Sequence, residues 1–402
     1  MRVEVRKQKT ENRSIAPPVF LDWKQNAKGK CQVASQVCIL YSVFCILFST
    51  PASAQKKVKT GKTVVSPWDV EAREYLGTPQ SEAAVKRGLD YLAASQQTDG
   101  HWNSPYRNEV AVTGLSLMAF LASGYQPGRG KYGLTMNEAV DYLVNNAHAD
   151  GSYGAPGFIR ASYNSSQPMY GHGFATLALS EVYGMTGRKD VKTKLEAAIK
   201  LIEDSQNQNG DPRYDGGWRY EPRQGDADLS VTVVQVLALR GAKNAGIKVA
   251  QETINRAVAY MKRCATNNDG GFNYQYRSNS SGPARTGAGV LSLMMAGERD
   301  SQECQNGLAY LQAMPLNGNN DWPYRDHFFY GIYYVTQAMY QAGGAYWRGW
   351  YPNVRNRLIA LQDSDGGWAR SNGYSEAGPE YATAMSVLVL QVPAGLLPIY
   401  QK

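Results

Sequence analysis

Two aspartates, Asp226 and Asp228, lie directly before an apolar stretch that begins near Ser230. A carboxyl group that burial and a like-charged neighbour keep protonated can act as a general acid. An aspartate in front of a helix can instead cap it, because its oxygens accept hydrogen bonds from the free amides of the first turn. Both interpretations, acid and cap, stay open from these residues alone.

Three titratable residues share one position, because each stands four residues before a threonine in an apolar, helix-forming stretch. If these helices close into a ring, the three side chains face one mouth of it, as a polar cluster beside apolar walls. Three separate helix caps are the alternative. The candidate catalytic residues, with the neighbour of the third, are therefore Glu109, His172, Asp228 and Asp226.

Aromatic residues are plentiful, with 27 Tyr, 8 Trp and 9 Phe. Their ring faces can stabilise a carbocation in a cavity, and core packing is the alternative use of each ring. We expect ligand contacts in the glycine-rich turn before Asp226 and at a later apolar stretch that follows an Asp-His pair. The candidate residues are Trp218, Tyr220, Asp326, His327, Tyr330, Tyr333 and Tyr334, and Tyr163 and Tyr170 could close the mouth.

The turn that contains Trp218 is one copy of a repeat. A short turn that contains Asp and ends in an aromatic residue occurs six times, and each copy separates two helix-forming stretches. The aromatic residues stand at positions 102, 153, 218, 272, 322 and 368. Internal periodicity on this scale indicates a repeat architecture.

In each repeat an amphipathic helix precedes the turn, and a helix that is apolar on nearly all sides follows it. The predicted amphipathic helices begin at Ser81 and then span 136–147, 191–205, 252–264, 302–314 and 354–361. The predicted buried helices span 110–122, 173–183, 231–241, 286–296, 329–341 and 381–392. We predict an all-α (α/α)6 toroid, with the buried helices as an inner barrel and the first hairpin against the sixth. An open superhelix is the rival, although no polar capping repeat is visible.

The first 54 residues are predicted to be a signal peptide. Eight Lys or Arg against three acids precede an apolar run at 37–48, and Ala52-Ser53-Ala54 follows as a cleavage pattern. Residues 55–80 are a linker, and 81–402 form the toroid. We expect an exported protein, either periplasmic or secreted. Such a location is compatible with contact between the protein and a membrane surface. A membrane-tethering N-terminus is the alternative.

The charge argues against nucleic-acid binding. The whole chain carries +8, of which the leader contributes about five charges, and no basic patch with interleaved aromatics appears.

After removal of the leader, Cys264 and Cys304 remain. They are predicted to lie at opposite ends of parallel outer helices, too far apart for a disulfide.

The repeats resemble those of a known family. Arg87-Gly88, Tyr91-Leu92, Gln96, Gly100 and Trp102 match the QW repeat of squalene–hopene and oxidosqualene cyclases, and two later turns match it in part. These are Gln206, Gly210 and Trp218, and Gln362, Gly366 and Trp368. The resemblance implies a single-barrel α/α toroid of the terpenoid-cyclase and protein-prenyltransferase superfamily.

The resemblance also implies a function. In those cyclases an Asp-x-Asp-Asp sequence supplies the proton that starts polyene cyclisation, so Asp228 would be the donor and Asp226 its neighbour. Leu229 replaces the last aspartate of that sequence. We expect a polyprenyl or triterpenoid chain as ligand and, if the protein is an enzyme, a class II terpene cyclase-like isomerase. The alternatives are a non-catalytic binding or scaffold protein, and a carbohydrate-active barrel with paired carboxylates across its mouth.

No metal or cofactor is expected. The zinc ligands of protein prenyltransferases have no Asp-x-Cys counterpart here, and no Asp-Asp-x-x-Asp diphosphate motif occurs. For a proton donor, burial must raise the pKa of Asp228 more than the helix terminus lowers it. We therefore expect Asp228 inside the ring, hydrogen-bonded to Glu109, His172 or His327.

Overall fold

The computed structural model describes residues 76–266, 268–316, 327–368 and 376–401. They form one compact unit that contains α-helices, short turns and one two-stranded antiparallel sheet. The described helices are α1 Pro79–Ser95, α2 Glu109–Ala122, α3 Gly133–Asn145, α4 Pro168–Thr186, α5 Lys189–Ser205, α6 Leu229–Asn244, α7 Gln251–Cys264, α8 Pro283–Met295, α9 Gln302–Gln312, α10 Phe328–Ala342, α11 Gly344–Leu361 and α12 Pro379–Gln391. The strands are β1 Ala147–His148 and β2 Phe158–Ile159, and the 3₁₀ turns are Val392–Ala394 and Pro398–Tyr400.

The even-numbered helices form a closed inner ring, because each contacts the next and α12 contacts α2. Inner and outer helices differ in burial as their sequences predict. Helix α2 buries twelve of its fourteen residues, whereas α7 buries five of its fourteen, all on one face. The predicted (α/α)6 toroid is confirmed, including the contact between the first and sixth hairpins. Helix α1 begins at Pro79, two residues before the predicted start, and Thr78 caps it.

Gln362 closes the ring. Its side-chain Nε2 donates to the Ala84 carbonyl in α1 at 2.8 Å and to the Gly366 carbonyl in its own turn at 2.9 Å. Gln96 and Gln206 make the same pair of bonds to their own turns and to α3 and α7. Each glutamine therefore joins its turn to the outer helix of the next hairpin. Because Gln362 belongs to the sixth hairpin and its partner α1 to the first, this bond closes the ring.

The motif tryptophans join the two helices of one hairpin. The Trp218 indole N–H donates to the Ile202 carbonyl in α5 at 2.8 Å, and its backbone amide donates to the Thr232 hydroxyl in α6 at 3.1 Å. Trp102 and Trp368 make both kinds of bond in their own hairpins. A buried indole needs such a partner for its N–H. Trp218 thus links the outer and inner helices of its own hairpin.

The second hairpin departs from the predicted motif. Tyr153, which the sequence pattern placed at the motif position, lies in the loop between β1 and β2. Ile159 occupies that position, and its amide donates to the His172 ring at 3.2 Å, where other repeats use a threonine hydroxyl. Gly157 has φ 86° and lies against the Ala197 carbonyl, as motif glycines of other repeats lie against the next outer helix. The turn at 150–153 is therefore an insertion that only imitates the motif. The fifth predicted motif, around Trp322, lies outside the described residues.

The two cysteines are free and buried, as predicted. Cys264 ends α7 and Cys304 lies in the first turn of α9. Burial raises the pKa of each thiol to about 12, so both remain protonated at neutral pH.

The end of the barrel at the C-termini of the inner helices is closed by the segment after α12. Ile399 is fully buried there, and its amide donates to Glu181 Oε1 in α4 at 3.1 Å. The 3₁₀ turn at Pro398–Tyr400 also contacts α6. We call this the closed end. The opposite end, where the inner helices begin, is the mouth.

Candidate functional site

The mouth contains a cavity of about 400 Å³. Pockets that bind small molecules have volumes of roughly 300–1,000 Å³. Its described wall comes from the first, second, fifth and sixth hairpins and is mostly apolar, and no Lys or Arg belongs to it. It includes Asn108, Tyr170, Phe174, Tyr330, Glu376 and Tyr381.

The tyrosines of α10 do not all reach the cavity. Tyr330 lines it, as expected for a ligand contact, and its ring centroid lies 4.6 Å from that of Tyr334. Tyr333 and Tyr334 are fully buried, outside the described wall. Their expected ligand contact is corrected to core packing, because Tyr334 lies one turn deeper than Tyr330 on the same side of α10 and its ring packs 4.9 Å from that of Tyr333. Tyr170, which was expected to close the mouth, forms part of its wall.

Glu376 is the acidic residue of the described cavity wall. Its Oε2 accepts a hydrogen bond from the Tyr330 amide at 3.3 Å, whereas the buried Oε1 has no hydrogen-bond partner among the described residues. Burial raises the pKa of this carboxyl to about 8. Sequence reasoning missed Glu376, since it stands seven residues before Thr383, outside the shared position of the other candidates. The weak signal available was an acid two residues before the Gly378-Pro379 helix start.

Asp228 belongs to an ionic cluster beside the cavity. Its side chain is fully buried, and Oδ1 accepts from the Val231 amide at 2.9 Å, which makes it the cap of α6. Its Oδ2 lies 2.5 Å from Nη1 of Arg219, and Arg219 Nε lies 3.2 Å from Asp226 Oδ2. The Arg219 guanidinium stands 4.1 Å from the centre of the Tyr220 ring. One arginine thus joins both acids of the predicted pair.

Tyr274 completes this cluster. Its hydroxyl lies 2.5 Å from that of Tyr220 and accepts from Arg219. The two tyrosines stand at the same place in adjacent repeats, two residues after the motif aromatic. Sequence reasoning missed Arg219 and Tyr274. The matching position of the two tyrosines was the signal that could have placed them side by side.

The contacts of Asp228 favour its carboxylate form. Burial raises the pKa of Asp228, while the Val231 amide and the Arg219 guanidinium oppose that rise. The predicted burial is confirmed. The predicted partners are wrong, because Arg219 and Tyr274, rather than Glu109, His172 or His327, contact the carboxyl group.

His172 and Glu109 lie away from the cluster. His172 accepts from the Ile159 amide at Nδ1, and Nε2 lies 3.2 Å from the Ala198 carbonyl, so both nitrogens bind backbone groups. Burial lowers the pKa of His172 to about 4, which keeps the ring neutral. Glu109 is the first residue of α2. Burial and the negative charge of Glu109 together raise the pKa of the Tyr142 phenol in outer helix α3. Neither residue lines the mouth cavity, so their expected place in one polar cluster is corrected.

The remaining candidates divide between the rim and the cluster. His327 lines the rim of the cavity and is exposed, whereas Asp326 lies outside the described residues. Tyr220 lies in the Arg219 cluster, with its ring centroid 6.2 Å from that of Tyr170. Trp218 is 1% exposed in its hairpin, so its expected ligand contact is corrected. Through Tyr170 the cluster adjoins the cavity without opening into it.

The described residues offer neither a metal-ion site nor a membrane-spanning helix. Within them, no group of three or more His, Cys, Asp or Glu side chains is placed to hold a metal ion. None of the described helices combines the length and the apolar character that crossing a membrane requires.

Comparison with known proteins supports the cyclase resemblance. Residues 175–342 match the family model of the squalene-hopene cyclase C-terminal domain, while no curated protein matches the chain. The type II terpene cyclase MstE from Scytonema has a TM-score of 0.53 at 12% identity, over 79% of this chain and 99% of that one. The GH76A α-1,6-mannanase from Salegentibacter sp. HEL1_6 reaches 0.57 at 8% identity, over 79% and 99%. Cellobiose 2-epimerase from Bacillus thermoamylovorans B4167 reaches 0.55 at 14% identity, over 77% and 98%.

At such identities the similarity to solved structures shows the fold alone, and this fold serves different ligands. A variant of the terpene cyclase is in complex with geranylgeranyl dihydroxybenzoate, and a variant of the mannanase is in complex with α-1,6-mannotriose. The family match is more specific, because it runs from within the second inner helix, α4, to the end of the fifth, α10. By its closed ring and its QW turns, the chain is an (α/α)6 toroid whose described residues form a single barrel, and over residues 175–342 it is similar to the squalene-hopene cyclase C-terminal domain.

Proposed function

We propose that this toroid binds a hydrophobic isoprenoid ligand, a polyprenyl or triterpenoid chain, in the cavity at its mouth. The observation that carries the proposal is the cavity wall, which is mostly apolar and presents Tyr170, Tyr330 and Tyr381. Apolar pockets with a few polar groups are typical of small-molecule sites. The barrel is closed at its other end by the segment that contains Ile399, so a ligand enters at the mouth.

Binding, rather than cyclisation started by Asp228, is the function that the contacts favour. A proton donor to an alkene must be a protonated acid in contact with the substrate. Asp228 does not line the cavity, and its two oxygens are engaged by the Val231 amide and by Arg219. Leu229, in place of a third acid, is fully buried. Position 229 therefore supplies no third carboxylate beside Asp226 and Asp228.

A sugar-processing function is less well supported. Glycosidases of most families flank the scissile bond with two carboxyl groups. Glu376 is the one carboxyl in the described wall of the cavity. The structural similarity to the mannanase and the epimerase therefore stops at the fold.

Direct titration tests the proposal. We expect squalene or farnesol to quench the intrinsic fluorescence of the full chain, with saturation at one ligand per chain. Replacing Ala111 in the cavity wall by Trp should weaken binding at least tenfold, because the indole fills the space. Ala309→Trp, on the exposed side of α9, is the matched control and should bind normally. Saturable binding of mannotriose with no binding of either isoprenoid would overturn the proposal.

We also propose that the protein acts after export, in the periplasm or outside the cell, where it takes its ligand from a membrane surface. The support is the leader, with its basic residues, apolar run and Ala-Ser-Ala sequence. Cell fractionation, together with the N-terminal sequence of the recovered protein, tests this. A cytosolic protein with an intact leader would contradict it.

A further inference from the structure

Glu376 borders the cavity, and the backbone groups that act on its carboxyl lie in the first turn of α10. The Tyr330 amide donates to Oε2 at 3.3 Å, the Phe329 backbone also lowers the pKa of the carboxyl, and Oε1 has no hydrogen-bond partner among the described residues. A buried oxygen without a partner destabilises the fold. A ligand in the adjoining cavity can supply the missing hydrogen bond.

The cavity wall limits the charge of that ligand. Its described residues include neither Lys nor Arg, so a phosphate or diphosphate group has no counter-charge there. Arg285 is near Tyr330 but does not line the cavity. A buried anion without a paired cation is strongly disfavoured. The described part of the wall therefore offers a diphosphate no paired cation.

The protonation state of Glu376 favours a hydrogen-bond acceptor. Because burial raises its pKa to about 8, the carboxyl is mostly protonated at pH 7 and can donate its O–H. The titratable groups around it are Tyr330 and Tyr381, with His327 at the rim and Glu380 in the first turn of α12. Burial raises the pKa of Tyr330 and of Tyr381, so both phenols stay neutral.

From these observations we infer that the ligand of the mouth cavity has an uncharged oxygen head group, a carbonyl or hydroxyl, which accepts a hydrogen bond from Glu376. The hydrocarbon tail lies along Tyr170 and Phe174 on the opposite side of the cavity. This inference rests on the proposed isoprenoid binding and names the class of isoprenoid. Glu376 is a binding residue in it and not a proton donor to an alkene, since burial has made it a weaker acid than an ordinary carboxyl.

Three farnesyl compounds with different head groups test the inference at pH 6.5 on the full chain. We expect the neutral ketone farnesylacetone to bind at least tenfold more tightly than farnesyl diphosphate or farnesylamine. Glu376→Ala should weaken ketone binding about tenfold, which is the loss of one hydrogen bond to a buried partner. Glu376→Gln should keep most of the affinity, because its amide N–H also donates. Glu380→Gln, an acid outside the cavity wall, is the control and should leave binding unchanged.

The pH dependence gives a second readout. Ketone affinity should fall as the pH rises through about 8 in the natural protein, because the carboxylate cannot donate, and should stay constant in Glu376→Gln. Tighter binding of the amine or the diphosphate would overturn the inference. So would equal ketone affinity in the natural protein and Glu376→Ala, even if both bind squalene. If no isoprenoid binds the natural protein, the proposed function itself fails.

Discussion

The two ends of the barrel each bury a glutamate, and they differ in what faces it. Glu181 at the closed end and Glu376 at the mouth each accept one backbone amide, from Ile399 at 3.1 Å and Tyr330 at 3.3 Å. Each also has a second oxygen without a hydrogen-bond partner among the described residues. The docked C-terminal segment covers Glu181, whereas the mouth cavity borders Glu376.

This difference separates two consequences of burial. Burial raises the pKa of Glu181 to about 7 and that of Glu376 to about 8, so a raised pKa by itself does not distinguish them. Only the glutamate at the mouth faces space that a ligand can occupy. The adjoining cavity, rather than the shifted pKa, is the reason for proposing Glu376 as a binding residue.

Asp228 is a third buried acid, and it is paired with Arg219. Removal of that arginine should have the largest effect on stability. Arg219→Met leaves Asp228 buried without its cation, so we expect the free energy of unfolding to fall by about 3–5 kcal/mol. Urea denaturation measures it. Arg213→Met, at an exposed pair with Asp211, is the control and should leave the urea midpoint nearly unchanged. Equal losses of stability in the two variants would show that Asp228 and Arg219 do not form a buried ion pair.

The closed end should be the next most sensitive place. Ile399→Ala removes a fully buried side chain, and we expect a loss of about 2–5 kcal/mol in the same urea experiment. Leu396→Ala, at a side chain that is 46% exposed, should change stability by about 0.5 kcal/mol or less. A small loss from Ile399→Ala would mean that the C-terminal segment does not seal the barrel.

The smallest effect is also the most direct comparison of the two glutamates. A buried acid with a raised pKa destabilises the fold progressively as the pH rises from its unfolded pKa, about 4.5, to its folded value. Relative to the natural protein, Glu376→Gln and Glu181→Gln should therefore gain stability with pH, by roughly 2 kcal/mol at pH 6, because each of the roughly 1.5 pH units above 4.5 is worth about 1.4 kcal/mol. The gain should level off near pH 7 for Glu181→Gln and near pH 8 for Glu376→Gln. Thermal melts from pH 4.5 to 9 measure it, and a gain that instead grows toward acid pH would contradict the assignment of buried neutral acids.

The fold was readable from the sequence because its determinants are local and repeated. A glycine before an aromatic residue and a glutamine four positions before that glycine set the turn of a hairpin, and Gln96 and Gln362 make the bonds that this spacing allows. The pattern failed at Tyr153. There an Asp-Gly turn has the residue types of the motif, while the glycine that packs on the next outer helix is Gly157. The sequence pattern alone does not show which glycine makes that contact.

The candidate site was less predictable, because its contacts join distant repeats. Burial of Asp228 follows from its place before a buried helix, but its partner Tyr274 comes from the next repeat. His172 shares a sequence position with Asp228 and yet binds backbone on both sides. Glu376 belongs to no shared position. What makes it notable is a neighbouring cavity, which no spacing in the chain records.

The bond between Gln362 and Ala84 joins residues 278 positions apart, and it makes the number of hairpins a fixed property of the fold. An open stack of repeats can gain or lose a member and still satisfy every neighbour. A ring cannot, because one hairpin more or fewer changes the angle at every inner-helix contact and moves the partner of Gln362. New sequence is therefore tolerated in the turns, as at 147–159, and not as additional hairpins. The closure also delays folding, since a contact between such distant residues must overcome the entropy of closing nearly the whole chain.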